Sequence, residues 1–197
     1  MTFDLELTTK IIWCVFIVLW AAIRWQPNRK SRKTEKSVTA RPMKERLAMV
    51  ISSFGLGYIP AVWVFTDFLD NFDYAPNIVM VLVGTIILLG TLRLFRLTHK
   101  ALGRMWSHSL DLREGHKLVT SGIYEKVRHP MYSAFWAWGL GAAFLLPNWV
   151  AAFSGLIGFG TLFFLRVGQE EAMMQKEFGK EYDAYMERTK RIIPGIY

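Results

Sequence analysis

Long apolar blocks constrain the fold of this chain more than any other feature. Polar or charged segments separate most of them. The blocks cover residues 7–25, 47–65, 77–92, 131–146 and 149–165. An apolar run of about 20 residues matches the hydrocarbon core of a bilayer, and a helix there satisfies its own backbone hydrogen bonds. The pattern therefore predicts an all-α polytopic membrane protein with about five transmembrane helices, forming a single domain over residues 1–197.

The charged residues indicate how these spans are oriented. The net charge is +8, and the basic residues cluster in the segments 26–46 and 98–126, whereas the segment 66–76 holds three aspartates and no basic residue. Positively charged loops remain on the cytoplasmic side of membranes. We therefore expect the N-terminus outside and the C-terminus inside. Contact with anionic membrane lipids explains the positive charge, and no nucleic acid partner is expected.

Several other classes of protein do not fit the sequence. The single cysteine, Cys14, lies within the first block, so no intrachain disulfide is possible. That block lacks a basic leader and a small-residue cleavage site, which favours a retained span over a cleaved signal. The four histidines have no common metal-ligand spacing, and no metal is expected. A G-x-S-x-G nucleophile elbow is also missing, which argues against a serine hydrolase.

Two polar groups border the last two apolar blocks. Arg128-His129-Pro130-x-Tyr132 leads into the fourth block, and Glu170-Glu171 follows the fifth. A short turn joins the two blocks, so both groups should return to the same membrane face. Ionisable groups at a membrane boundary are expensive to desolvate and are usually paired or functional. We therefore predict a functional site where the two groups meet, on the cytoplasmic side.

These motifs, in their order and spacing, resemble the isoprenylcysteine carboxyl methyltransferase family and its wider relatives, which methylate phospholipid amines or thiols. The resemblance includes Phe178-Gly179-x-Glu181-Tyr182-x-x-Tyr185 and covers residues 103–194, the cofactor-binding half. The residues upstream carry no such signature. Residues 170–188 also have the apolar periodicity of an amphipathic C-terminal helix, which would close the cytosolic pocket.

The resemblance implies S-adenosyl-L-methionine as the cofactor, with S-adenosyl-L-homocysteine as the product. The residue types present suit its chemistry, since a carboxylate binds the ammonium group and aromatic faces accept the sulfonium and the adenine. The candidate cofactor-binding residues are Lys117, Leu118, Val119, Gly122, Tyr124, Arg128, His129, Pro130, Tyr132 and Glu170.

The resemblance also implies which residues act on the acceptor. Arg166 would hold a substrate carboxylate, and Glu171 would orient that arginine. Because the two are five residues apart on α-helical spacing, this requires an unwound helix near Gly168. Arg96 and Trp106 are further candidates on the substrate side, and interfacial anchoring is the alternative for both.

The predicted reaction is carboxyl O-methylation of a C-terminal isoprenylated cysteine, or of a similar lipophilic carboxylate that enters from the bilayer. Two alternatives remain open at this point. A relative of the same family would methylate a phospholipid amine or a thiol. Methylation of the amine would require a general base, such as Glu171 or His129, to remove its proton. A protein of another class would be a membrane adaptor or a small-molecule carrier without catalytic activity.

Overall fold

The computed structural model describes residues 4–32, 43–103 and 118–197, with the backbone alone over residues 26–32. The prediction of an all-α protein is confirmed. The helices are α1 (Leu5–Arg32), α2 (Met43–Ser53), α3 (Ile59–Phe65), α4 (Ile78–Leu102), α5 (Pro130–Leu145), α6 (Trp149–Phe178) and α7 (Lys180–Arg188). A π-helical turn, Phe54–Tyr58, joins α2 to α3, where the sequence predicts a kink from Gly55, Gly57 and Pro60.

Among the described residues, four helices are long and apolar enough to cross a membrane. They are Leu5–Trp25, Met43–Phe65, Ile78–Leu102 and Trp149–Phe178. The remaining predicted span, residues 131–146, forms α5, which has 16 residues and is about 24 Å long at 1.5 Å per residue. That is shorter than a hydrocarbon core of roughly 30 Å. α5 is held between α4 and α6, so protein covers much of its surface.

One end of the bundle is organised around Asn148. Its side-chain oxygen caps α6 by accepting hydrogen bonds from Val150 and Ala151, and its amide donates to Asp73 at 2.6 Å. Asp73 also accepts a hydrogen bond from the Trp63 indole at 2.7 Å, and the Lys10 ammonium lies over that indole. The start of α1, the aspartate-rich segment and the turn before α6 therefore lie at the same end, as the charge pattern predicts.

The opposite end carries the polar motifs, and we refer to it as the Glu171 end. α6 is continuous from Trp149 to Phe178, and the chain turns at Gly179, whose φ of 51° is one that glycine adopts without strain, before α7 begins. The single helix predicted over residues 170–188 is thus divided at Gly179. After α7, the backbone returns alongside the residues that precede α5, because the amides of Arg128 and His129 donate to the carbonyls of Lys190 and Arg191 at 2.8 Å.

α2 and α6 approach closely at small residues. The Ser154 hydroxyl donates to the Gly55 carbonyl at 2.7 Å. A Cβ atom at Gly55 would lie 2.2 Å from the Ser154 carbonyl oxygen, and one at Gly158 would lie 2.8 Å from the Ile51 carbonyl oxygen. The backbones therefore touch without side chains between them, as the small residues of this part of the sequence predict. This contact fixes how α2 and α6 are aligned along their length.

We expect Gly55→Ala to destabilise the bundle. The new methyl group meets backbone atoms that cannot rotate away, so the helices must separate; overpacking of this kind typically raises the free energy of the folded state by about 1–3 kcal/mol. The matched control is Gly90→Ala on α4, where a Cβ atom meets nothing within 4 Å. Thermal unfolding in detergent should show a lower midpoint for Gly55→Ala alone. Equal midpoints in the two variants would contradict the close contact.

Candidate functional site

A cavity of about 920 Å³ extends from the Glu171 end into the apolar middle of the bundle. This is towards the upper limit of typical small-molecule sites, roughly 300–1,000 Å³. Its polar wall includes Tyr124, Arg128, His129, Tyr132, Arg166 and Glu170. Its apolar wall includes Trp13, Cys14, Ile17, Leu56, Ala61 and Phe65. The cavity therefore joins a charged region to a lipid-like one.

The start of α5 positions two aromatic rings on the polar wall. Pro130 occupies the first helical position, where its missing N–H is not needed. The Tyr132 hydroxyl donates a hydrogen bond to Glu170 at 2.5 Å. The rings of His129 and Tyr132 are stacked with 5.3 Å between their centroids. The Tyr132–Glu170 pair thus connects α5 to α6 directly at the cavity wall.

The carboxylate of Glu171 lies next to this pair but has different surroundings. One oxygen accepts hydrogen bonds from Arg128 at 2.9 Å and from His129 at 3.2 Å, and the other accepts one from Arg191 at 2.7 Å. The side chain of Glu171 is only 8% exposed. A buried charge is tolerated when charged partners and hydrogen bonds compensate it, and here two guanidinium groups do so. Glu171 therefore ties the start of α5 and the C-terminal segment to α6.

Helical geometry explains why two adjacent glutamates have separate roles. Arg166, Glu170 and Met173 follow one face of α6, with spacings of four and three residues, and all three line the cavity. Val167 and Glu171 lie one position further along, and both are buried. Successive residues on a helix differ by about 100° in direction. Glu170 thus faces the cavity, and Glu171 faces the protein.

Arg128 belongs to the Glu171 network more than to the open cavity. Besides its contact with Glu171, its guanidinium donates to the carbonyls of Met186 and Thr189. The guanidinium nitrogens are therefore occupied by protein acceptors. Hydrogen bonds to Glu171 and Tyr197 also raise the pKa of Arg191, so this second cation stays charged.

Buried tyrosines complete the wall beneath α7. The Tyr185 hydroxyl donates to the carbonyl of Tyr124 at 2.6 Å, which joins α7 to the 3-10 turn Gly122–Glu125. Burial raises the pKa of Tyr185 to about 12. Burial also raises the pKa of Tyr124 and that of Tyr182 above the ordinary value. All three phenols therefore remain neutral at physiological pH.

Most of the predicted cofactor residues that the structure describes meet at the cavity. Those that line it are Leu118, Val119, Tyr124, Arg128, His129, Tyr132 and Glu170. Gly122 has a φ of 66° and begins the 3-10 turn, so together with Pro130 it shapes the backbone behind the wall. Lys117 and Trp106 lie outside the described residues.

One expectation about the substrate side needs correction. Arg166 and Glu171 do not pair, because α6 does not unwind near Gly168 and the two residues point in different directions. Arg166 instead lies 3.7 Å from Glu45 of α2. Arg96 is exposed on α4, where the buried face carries Phe95 and His99, and it is not among the described residues that line the cavity.

Two residues with direct contacts to the site were missed by reasoning from sequence. Glu45 lies within the basic segment 26–46, and Arg191 lies beyond the predicted C-terminal helix. A weak signal existed for Arg191, since it stands in a basic segment just after the amphipathic helix. No pattern in the sequence linked Glu45 to Arg166, since they are 121 positions apart.

Comparison with known proteins connects this architecture to a family. The model of the isoprenylcysteine carboxyl methyltransferase family matches residues 80–176. The chain is 34% identical to protein-S-isoprenylcysteine O-methyltransferase B of Arabidopsis thaliana over 96 residues, which covers 48% of this chain and 49% of the plant protein. It is 36% identical to protein-S-isoprenylcysteine O-methyltransferase of Schizosaccharomyces pombe over 96 residues, covering 48% of this chain and 41% of the yeast protein. The chain thus spans about half the length of these relatives.

A solved structure shares the fold more widely than the sequence does. The eukaryotic intramembrane Ras methyltransferase, an isoprenylcysteine carboxyl methyltransferase, aligns with a TM-score of 0.54 and 23% sequence identity. The alignment covers 81% of this chain and 55% of that protein. The shared fold therefore extends beyond the 97 residues that the family model matches.

The two glutamates should respond differently to the same substitution. Glu171→Gln removes the charge that compensates Arg128 and Arg191, and breaking a buried pair in this way typically destabilises a protein by about 3–5 kcal/mol. Glu170→Gln changes a half-buried cavity side chain and should leave the unfolding midpoint in detergent nearly unchanged. Thermal unfolding of the two variants tests this difference. An equal loss of stability in both would contradict the separate roles of the two faces.

Proposed function

We propose, from the membership of residues 80–176 in the isoprenylcysteine carboxyl methyltransferase family, that this chain is a membrane methyltransferase. Its reaction is carboxyl O-methylation of a lipophilic acceptor, with a C-terminal isoprenylated cysteine as the favoured substrate. The observation that carries the proposal is the cavity, which is charged at the Glu171 end and apolar between α1 and the α2–α3 segment. Such a cavity suits a water-soluble methyl donor and a membrane-borne acceptor that must meet.

The polar wall fits S-adenosyl-L-methionine as the donor. That cofactor carries an ammonium group, a carboxylate, a sulfonium and an adenine, and it supplies an electrophilic methyl group. Glu170 faces the cavity with a carboxylate for the ammonium group. The rings of Tyr124 and Tyr132 offer aromatic faces for the sulfonium and the adenine, and His129 lines the same wall. Arg128 supports this wall through Glu171 and does not need to touch the cofactor itself.

The apolar wall fits the tail of the acceptor. α1 packs chiefly against α4, whereas α2 packs chiefly against α6, and both sides contribute apolar residues to the cavity. An isoprenoid chain entering between them from the bilayer would contact Trp13, Ile17 and Leu56 while its carboxylate reached the polar wall. This arrangement supports a lipophilic acceptor over a free, water-soluble one.

Arg166 is the residue that we assign to the acceptor carboxylate. It lies on the cavity face of α6, one turn before Glu170, and a guanidinium binds a carboxylate through two parallel hydrogen bonds. A carboxylate is already ionised at neutral pH, so the reaction needs no general base. The protein's part is to desolvate the carboxylate, to align its oxygen with the methyl group and to exclude water. The acceptor oxygen gains the methyl group as the carbon–sulfur bond breaks.

The experiment that tests this function measures which acceptor is methylated. Purified protein is incubated with S-adenosyl-L-methionine labelled in its methyl group and with a farnesylated cysteine, phosphatidylethanolamine or a small thiol. We expect label on the farnesylated cysteine, released as methanol by base because the product is an ester. Glu170→Gln should reduce the rate by about tenfold or more, as expected from the loss of a charged hydrogen bond.

The pH dependence and one substitution separate the alternatives. A carboxylate acceptor keeps its charge between about pH 7.5 and pH 9, so the rate should be nearly constant; an amine acceptor gains free base and should react faster as the pH rises. Arg166→Lys retains the charge but loses the planar fork, and it should lower kcat and kcat/KM together. A rate that rises with pH and survives Arg166→Lys would favour the amine. Cofactor binding without methyl transfer to any acceptor would favour a carrier.

The proposed orientation in the membrane places the N-terminus outside and the cofactor site and C-terminus in the cytoplasm. It is supported by the basic residues that cluster in the sequence segments 26–46 and 98–126 and by the three aspartates of the segment 66–76, which has no basic residue. In a Cys14→Ser background, a cysteine at Asn71 should react with a membrane-impermeant thiol reagent added outside intact cells, and a cysteine at Ser37 should not. Labelling at Ser37 alone, or at both positions, would contradict this orientation.

A further inference from the structure

The cavity face of α6 carries two opposite charges that have different ligands in the proposed function. Arg166 and Glu170 are four residues apart on a continuous helix, and both line the cavity. Side chains at this spacing are neighbours, and an arginine and a glutamate there attract each other. If Arg166 and Glu170 paired, each would neutralise the charge of the other. The acceptor carboxylate and the ammonium group of the methyl donor would then both have to break that pair in order to bind. Something must therefore direct the two side chains apart.

The structure shows a separate partner for each of them. Glu170 accepts the hydrogen bond of the Tyr132 hydroxyl from α5. Arg166 pairs with Glu45 of α2 at 3.7 Å. The side chains of this second pair are 12% and 9% exposed, so water screens their attraction only weakly. Arg166 is thus drawn towards α2, and Glu170 is drawn towards α5.

The meeting of Glu45 and Arg166 follows from how α2 packs on α6. The two helices are antiparallel and touch where Gly158 approaches the Ile51 carbonyl. Arg166 lies eight residues beyond Gly158, or about 12 Å along α6, and Glu45 lies six residues before Ile51, or about 9 Å along α2. Both distances run towards the Glu171 end. The close backbone contact therefore sets the alignment that brings this carboxylate to Arg166.

A contribution to folding stability does not by itself explain the ion pair between Glu45 and Arg166. A buried ion pair gains little net stability, because removing both charges from water offsets most of their attraction. We propose that Glu45 is a positioning residue, which holds Arg166 away from Glu170 so that one serves the acceptor carboxylate and the other serves the ammonium group of the methyl donor. This inference rests on the proposed function and adds a residue outside the segment that matches the family.

A double-mutant cycle on cofactor affinity tests the inference without relying on turnover. Isothermal calorimetry measures S-adenosyl-L-homocysteine binding to the purified full-length chain. Glu45→Gln should weaken binding by about tenfold, because Arg166 then pairs with Glu170 and competes with the ligand's ammonium group. Arg166→Gln, which removes the guanidinium, supplies the second background of the cycle. The double variant should match Arg166→Gln, since no guanidinium remains to be redirected.

Two further variants make the result specific. Glu6→Gln removes a carboxylate that pairs with Lys10 at 2.8 Å on α1, away from the polar wall, and should leave the affinity unchanged. Glu45→Asp keeps the charge on a side chain shorter by one methylene group. Its affinity should lie between those of the wild type and Glu45→Gln, and the loss should occur only when Arg166 is present. Glu45→Asp therefore replaces Glu45→Gln in the cycle if Glu45→Gln does not fold.

The outcomes distinguish this inference from the function on which it rests. Failure of the wild-type chain to bind S-adenosyl-L-homocysteine would overturn the proposed function and this inference together. If the wild type binds normally, two results would overturn the inference alone. One is an unchanged affinity in Glu45→Gln. The other is that Glu45→Gln weakens binding as much when added to Arg166→Gln as it does in the wild type.

Discussion

The Glu171 end of the molecule depends on the hydrogen bonds and ion pairs of the buried Glu171 carboxylate. It connects α6 to Arg128 and His129 before α5, and to Arg191 in the C-terminal segment. The guanidinium of Arg128 and the carboxylate of Glu171 are both buried, and each would be expensive to bury without a charged partner. The network therefore holds three separate stretches of chain together, and the polar cavity wall is built on it.

The period of a single helix then places one of two neighbouring glutamates at the cavity and the other in the protein interior. α6 turns Arg166 and Glu170 towards the cavity and Glu171 towards the protein, so adjacent glutamates differ in exposure, partners and role. The same helix contacts α2 through glycines, and that contact brings Glu45 to Arg166. A stability contact in the middle of the bundle thus determines the arrangement of charges at its end.

The cavity combines a charged wall with an apolar one. Its charged wall lies beside α7 and the Gly122–Glu125 turn, and its apolar wall lies between helices that pack on different neighbours. Inside an apolar bundle, charged groups interact more strongly than in water, because little solvent screens them. A methyl transfer between a charged donor and a lipid-borne carboxylate would use both walls together.

The sequence by itself determined the helical membrane fold, the shared face of its polar motifs and most of the described residues of the polar cavity wall. Apolar run length and charge position carry that information, because a bilayer imposes both locally along the chain. Only the tertiary structure decided the partners. Arg166 was predicted to pair with Glu171 through an unwound turn, but α6 stays helical, and the pair is Arg166 with Glu45. Partners distant in sequence depend on how whole helices pack, and a close contact between glycine backbones sets that alignment without leaving any periodic pattern in the sequence.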